Sequence, residues 1–416
     1  MKMDDRYDVI VFWRQNEFVA SGRRAESLAR WMSVRPDVRR VFYLEPPMDR
    51  RRFDAASRWR KLLPLHVIRE TPSFWRVQTI RPNTILGLYG DAAERWGRRF
   101  TLARLKRLID RHSPAGRRVL WVYPPHPFAI HLTQRLAHER LVSDLVDDVD
   151  ALAQKTGQSA DVEALVRRSD AVFATSADLE RRLIAWNPGI RYVPNGLEPD
   201  FIANEQIVPP RPAGRRPVIG YVGVFSGRTN PVLLRRVAQE FRDCDLELVG
   251  WVSGDNEDLQ ALFREPNVIF RGRIPFDRVA ATIDGFDVCL LPHRDTVLSR
   301  SMSPLKLFQY LARGKPVVST DVLGLELVRD QIHVARDDDE FVAMIRRCLA
   351  DEAGDAALRA SRLRAVRSQT WDTRVQEMWD SVLRPGGRAL DRADRPGDDR
   401  PGDEIDAANE RGVRSA

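Results

Sequence analysis

Along this chain, short runs rich in β-branched and aromatic residues alternate with longer segments whose apolar residues recur every three or four positions. The runs YDVIVF, VFYLEPP, FWRVQTI, RVLWVYPP, AVFATS and IRYVP predict strands. Between them AESLARWM, residues 91–112, HPFAIHLTQRLA, DVEALVRRSD and ADLERRLIAW predict helices, the last opened by Ser176 as an N-cap. Such alternation builds a parallel sheet with helices on both faces. A connector rich in Pro and Gly, IVPPRPAGRRP at 207–217, interrupts the pattern. It then restarts with the strands PVIGYVGVF, LELVGWV, NVIFRGRI, DVCLLPH and PVVSTDV and the helices NPVLLRRVAQEF, NEDLQALFRE, FDRVAATIDGF and DEFVAMIRRCLAD. The expected architecture is α/β, with lobes at 1–200 and 201–362, one more helix at 363–384 around Trp371 and Trp379, and a charged, disordered tail at 385–416.

Composition narrows the function classes. A chain of 416 residues, 43% hydrophobic and 30% charged, suits two ordinary cores. No apolar run approaches the ~18 residues of a membrane span. The start, MKMDDRYDVIVFW, lacks the basic, apolar and small-residue pattern of a leader, so a cytoplasmic protein is expected. Cys244, Cys289 and Cys348 show no CxxC spacing, which argues against a disulfide framework or structural zinc. The net charge of +8 calls for anionic partners, but no nucleic-acid module accompanies it.

The densest chemistry lies at SPLKLFQYLARGKPVVST, residues 303–320. Ser303 suits an N-cap, Pro304 a first helical turn and Gly314 a helix stop. Lys306, Gln309 and Arg313 share one helical face, while Leu305, Phe308, Leu311 and Ala312 face the core. A diphosphate placed at Ser303 to Leu305 would meet free amides, the helix dipole and the Lys306 ammonium together. The alternative is a core helix whose polar stripe faces solvent. A second candidate is the glycine-bearing turn GYVGVFSGR, in which Gly223 admits close backbone approach and Arg228 offers a cation. Arg273 and Arg294 follow two further strands; each has a plain surface reading as well. For a general base, His126 in WVYPPHPF competes with Asp144, Asp147 and Asp148 in LVSDLVDDVD.

Read as a string, SPLKLFQYLARGKPVVST resembles the donor-binding signature of GT-B glycosyltransferases, Ser-Pro-Leu-Lys-(Leu/Phe)-Phe-Glu-Tyr-Leu-Ala-x-Gly-(Lys/Arg)-Pro-Val-Val. NVIFRGRIPFDRVAATIDGFDVCLLPHR, VPNGLEPDFI and SGRRAESLARWMSVRPDVRRVFYLEPP resemble other parts of that family, so the likeness covers most of residues 7–383. It implies two Rossmann-like domains facing each other across a cleft, a last helix crossing back to the first domain, and transfer of a sugar from a nucleotide diphosphate sugar to a hydroxyl acceptor. The donor would be held by Gly223, Arg228, Arg273, Arg294, Ser303, Pro304, Leu305, Lys306 and Gln309, with Lys306 on the diphosphate and position 309 on the ribose. The family usually has glutamate where Gln309 stands, and many relatives carry an acid where Ser301 stands. An inverting reaction would draw on His126 or Asp148 as base. No cofactor and no metal are expected, because the helix dipole and Lys306 can stabilise the departing diphosphate. The expected acceptor is a glycan or a lipid-linked saccharide in envelope polysaccharide or glycoconjugate assembly. The basic runs DRRRFDAASRWRKLL and ERWGRRFTLARLKRLIDRH suit peripheral contact with anionic lipid, or else plain solvated faces. The alternative functions are a nucleotide-sugar epimerase of the same fold and a catalytically silent nucleotide-sugar-binding subunit.

Overall fold

The computed structural model describes residues 5–13, 24–45, 65–79, 86, 88, 90–123, 125, 127–146, 159–203, 214–254, 257–294, 296, 305–352 and 355–383. His126, Asp147, Asp148, Ser301, Ser303, Pro304, most of the connector, the basic run at 49–63 and the tail at 385–416 lie outside the described residues.

The first lobe is built on β1 (Tyr7–Trp13), β2 (Val38–Leu44), β3 (Leu65–Arg69), β4 (Phe74–Thr79), β5 (Arg118–Tyr123), β6 (Arg140–Leu145), β7 (Ala171–Ala174) and β8 (Ile190–Tyr192). They form one sheet in the order β3-β4-β2-β1-β5-β6-β7-β8. Its first-lobe helices are α1 (Arg24–Ser33), α2 (Asp91–His112), α3 (Pro127–Thr133), α4 (Ser159–Arg167) and α5 (Ala177–Leu183). Strand β1 shows why the sequence reads as a near-continuous apolar run. Ile10 and Phe12 enter the core on one face of the sheet, and Val9 and Val11 enter the core on the other. The expectation of purely parallel pairing is corrected at one edge, where β3 runs antiparallel to β4. Strand β3, LHVIR, is half-buried and carries His66 and an exposed terminal Arg69, which an edge tolerates.

The second lobe contains β9 (Val218–Val222), β10 (Asp245–Val249), β11 (Val268–Gly272), β12 (Val288–Leu291), β13 (Val317–Thr320) and β14 (His333–Ala335), all parallel, in the order β11-β10-β9-β12-β13-β14. Around it lie α6 (Pro231–Glu240), α7 (Glu257–Phe263), α8 (Val279–Asp284), α9 (Leu305–Ala312), α10 (Asp338–Arg347) and α11 (Ala356–Val366). Helix α9 stops where the sequence places Gly314, which adopts φ +71° while its N–H bonds the Leu311 carbonyl at 2.8 Å.

Two chain segments cross between the lobes. Leu197 N–H donates to Gln369 O and Trp371 N–H donates to Leu197 O, both at 2.8 Å. Gly196 permits this approach, since a Cβ there would lie 2.9 Å from the Trp371 nitrogen. Helix α12 (Trp371–Leu383) then buries Trp371, Val375, Met378 and Trp379 in the first-lobe core beside Val9 and Val11. The crossing helix therefore begins at Trp371. Residues 356–366 form a separate helix on the second lobe, where Val366 packs with Leu307 and Leu311 of α9.

Candidate functional site

Strands β9 and β12 are neighbours, but the chain leaves them in opposite directions: β9 leads through α6 to β10, and β12 leads through α9 to β13. Such a switch point opens a crevice beyond the strands' carboxyl ends. The two loops there are stitched together by an antiparallel bridge between Thr229 and His293, by Asn230 N–H on Pro292 O and by Arg294 N–H on Arg228 O, the latter two at 2.8 Å. Asn230 also accepts from Leu233 N–H at 3.2 Å, capping α6 just before Pro231.

Lys306 in the first described turn of α9 reaches into this corner. Its Nζ donates to Tyr221 Oη at 2.9 Å, lies 3.4 Å from His293 Nε2 and sits 4.5 Å from the Tyr221 ring centroid. Tyr221 Oη in turn donates to Val224 O at 3.2 Å, tying the ammonium to the loop that follows β9. Both acceptors are neutral, and among the described residues no carboxylate lies within ion-pair distance of Lys306. Its positive charge is therefore not balanced by any described residue. Gly223 leaves room for the ammonium: a Cβ there would lie 2.6 Å from Lys306 Nζ and 3.0 Å from Tyr221 Oη and would push the lysine tip aside. Helix α9 is held against β9 by the buried Tyr310, whose Oη accepts from Val222 N–H at 2.9 Å.

His293 is 4% exposed and has a proton affinity well below that of an ordinary histidine. Burial is the main cause, followed by the nearby Lys306 and Arg228 charges. The imidazole is therefore neutral at physiological pH.

Gln309, one turn beyond Lys306, is 8% exposed, and among the described residues its side chain makes no hydrogen bond. Leu305 is half-buried at the start of the helix. The predicted polar stripe is broken at Arg313, which ends the helix as a structural anchor. Its Nε donates to Asp284 Oδ1 at 2.8 Å and its Nη1 to Phe201 O at 3.1 Å.

Of the sequence candidates, Gly223, Arg228, Arg294 and Lys306 converge on the switch point, and Gln309 follows one turn along α9. Arg273 does not join them: it is exposed, packs over the Trp251 ring at 5.4 Å, and follows β11, two strands from β9. Asp144 is corrected as a candidate base. It lies in β6 rather than capping a helix, fully buried, with Arg24 Nε at 3.1 and 3.0 Å from its two oxygens and Trp121 Nε1 at 3.4 Å. Sequence reading missed Tyr221 and His293. The available signal was their adjacency to residues already singled out, two places before Gly223 and one before Arg294.

Residues 216–351 match the family model described as glycosyl transferases group 1. TuaH of Bacillus subtilis strain 168, named as a glycosyltransferase of teichuronic acid biosynthesis, is 24% identical over an alignment of 297 positions that covers 65% of this chain and 74% of that protein. Sucrose-phosphate synthase of Thermosynechococcus elongatus superposes with a TM-score of 0.67 at 15% identity, covering 90% of this chain and 98% of the other. Anabaena HepE, solved in complex with UDP and glucose, superposes with a TM-score of 0.63 at 15% identity, again covering 90% and 98%. The chain has the GT-B fold, and its second lobe matches a glycosyltransferase family. The family match in this glycosyltransferase includes Tyr221, Gly223, His293, Lys306 and Gln309. Among the described residues no three His, Cys, Asp or Glu side chains are grouped as metal ligands, and no helix is long and apolar enough to cross a membrane.

Proposed function

We propose that this glycosyltransferase takes a sugar from a nucleoside diphosphate sugar held at the switch point of the second lobe and gives it to a hydroxyl acceptor in the assembly of a cell-envelope polysaccharide. The observation that carries the donor reading is the Lys306 ammonium beside Gly223, which meets only neutral acceptors among the described residues and which a diphosphate would supply with an anion. The start of α9 adds the positive end of its dipole. Together they can stabilise a departing diphosphate, so transfer needs no metal ion. Gln309 faces the ribose in this reading, offering one acceptor and two donors. HepE was solved with UDP and glucose, which supports the donor class, and the likeness to TuaH supports a polymeric envelope product.

The enzyme acts at the cytoplasmic membrane face, receiving a glycan or lipid-linked acceptor through the first lobe. Support comes from Leu86, Leu88 and Trp96, exposed by 63%, 49% and 44%, beside the exposed Arg95, Arg98 and Arg99 of α2, a mixture that suits anionic lipid. A thermal-shift panel of nucleotide sugars, followed by donor turnover with and without chelator, tests the catalytic reading. Stabilisation by a nucleotide sugar with chelator-resistant turnover is expected, and no effect of any nucleotide would refute it. Flotation with anionic but not neutral vesicles tests the membrane contact.

A further inference from the structure

We propose that His293 is a positioning residue that fixes the direction of the Lys306 ammonium. The proposal rests on the donor-site reading above for its purpose, though not for its geometry. A lysine ammonium carries three N–H donors and no acceptor. Tyr221 Oη takes one at 2.9 Å and His293 Nε2 faces a second at 3.4 Å, the longer and weaker contact. With two of its donors directed at fixed acceptors, the ammonium cannot rotate freely, and the third N–H, which meets no acceptor among the described residues, is available to the ligand.

The imidazole can serve as a fixed acceptor because its own backbone is clamped from both sides. His293 N–H donates to Thr320 Oγ1 at 3.0 Å, and Thr320 Oγ1 donates back to His293 O at 2.7 Å, binding the loop to the end of β13. The bridge to Thr229 holds the other side. Since Lys306 can only donate, the lone pair must be on Nε2 and the imidazole proton on Nδ1. Nδ1 is buried and has no hydrogen-bond partner among the described residues. A buried donor left unpaired is unfavourable and calls for an explanation. Here the Nε2 acceptor role dictates the tautomer that leaves Nδ1–H unpaired.

The test compares wild type with His293→Leu, which removes the acceptor, and His293→Gln, which restores one near the Nε2 position. Calorimetry with UDP and GDP should show about tenfold weaker binding of the accepted nucleotide by the Leu variant, and recovery to within about threefold by the Gln variant. Unchanged affinity in His293→Leu would overturn the proposal. Equal loss in both variants would overturn it too, because packing rather than the acceptor would then matter. A second measurement needs no ligand: in 15N-histidine spectra His293 should be neutral with its proton on Nδ1, and Lys306→Met should shift its Nε2 resonance. A proton on Nε2 would defeat the positioning role even if nucleotides bind. Failure of both UDP and GDP to bind, with the spectroscopic result as expected, would count against the donor reading and leave the Lys306 contact standing.

Discussion

Replacing Lys306 with methionine keeps most of the side chain's length and removes only the charge and its donors. A charge-assisted hydrogen bond contributes roughly 1.5–3 kcal/mol. The bare Coulomb attraction between unit charges ~4 Å apart near a protein surface is about 4 kcal/mol, part of which solvent screens at a half-buried group. A loss of about 2–3 kcal/mol is therefore expected, or roughly 30- to 150-fold in nucleoside diphosphate affinity. Stability should hardly change, because Lys306 has no carboxylate partner among the described residues and Tyr221 Oη keeps its bond to Val224 O. Arg273→Ala is the matched control: an exposed cation stacked on Trp251, two strands away, should cost less than about threefold. Isothermal calorimetry on the three proteins, with melting curves alongside, decides the matter. Equal affinity for wild type and Lys306→Met, or equal losses for the two variants, would refute a specific phosphate role for Lys306.

Three further outcomes are expected. Gln309→Glu should tighten binding of a ribonucleoside diphosphate by about fivefold while leaving its 2′,3′-dideoxy analogue unaffected, and a gain shared by both would show that position 309 does not read the ribose. Arg24→Leu should destabilise the first lobe by about 3–5 kcal/mol, because it strands the fully buried Asp144 charge; urea titration showing a loss below ~1 kcal/mol would contradict that. At the end of β2, burial holds the Glu45 carboxyl up to about 7, although Gln78 donates to it at 3.0 Å. The folded state then keeps a proton that the unfolded chain has released, so this group's contribution to stability falls as pH rises between ~4.5 and ~7, by up to roughly 3 kcal/mol. Glu45→Gln should match wild type near pH 4 and exceed it at pH 8, and stability curves parallel between pH 5 and 8 would rule this out.

What could be read from sequence follows the range of the interactions that define each feature. The buried strand YDVIVF and the helix carrying Lys306 declare themselves locally, through uninterrupted apolar residues and through spacing along one turn of helix. Strand β3 was missed because an edge strand needs only one buried face and tolerates His66 and Arg69, so LHVIR carries little periodic signal. Strand β6 was obscured by Asp144, whose burial makes sense only beside Arg24, 120 positions away. Helical spacing alone groups Arg313 with Lys306, whereas Asp284 and the Phe201 carbonyl engage it from other elements.

The same distinction divides the site itself. Lys306 is legible because its chemistry belongs to its own helix, but the direction of its ammonium is decided by Tyr221 on β9 and by His293 on a loop clamped by Thr229, in the loop before α6, and by Thr320, at the end of β13. These contacts span 85, 13 and 27 positions along the chain for Tyr221–Lys306, His293–Lys306 and His293–Thr320. They exist only because the sheet order brings β9, β12 and β13 together. A substitution that shifted the β12–β13 register would thus be expected to disarm Lys306 without touching its helix. Thr320→Val tests the same clamp without a register shift, since it keeps the β-branched shape and deletes the hydroxyl that both accepts from and donates to the His293 backbone; about threefold or greater weakening of nucleoside diphosphate binding by calorimetry is expected, and unchanged affinity would refute it.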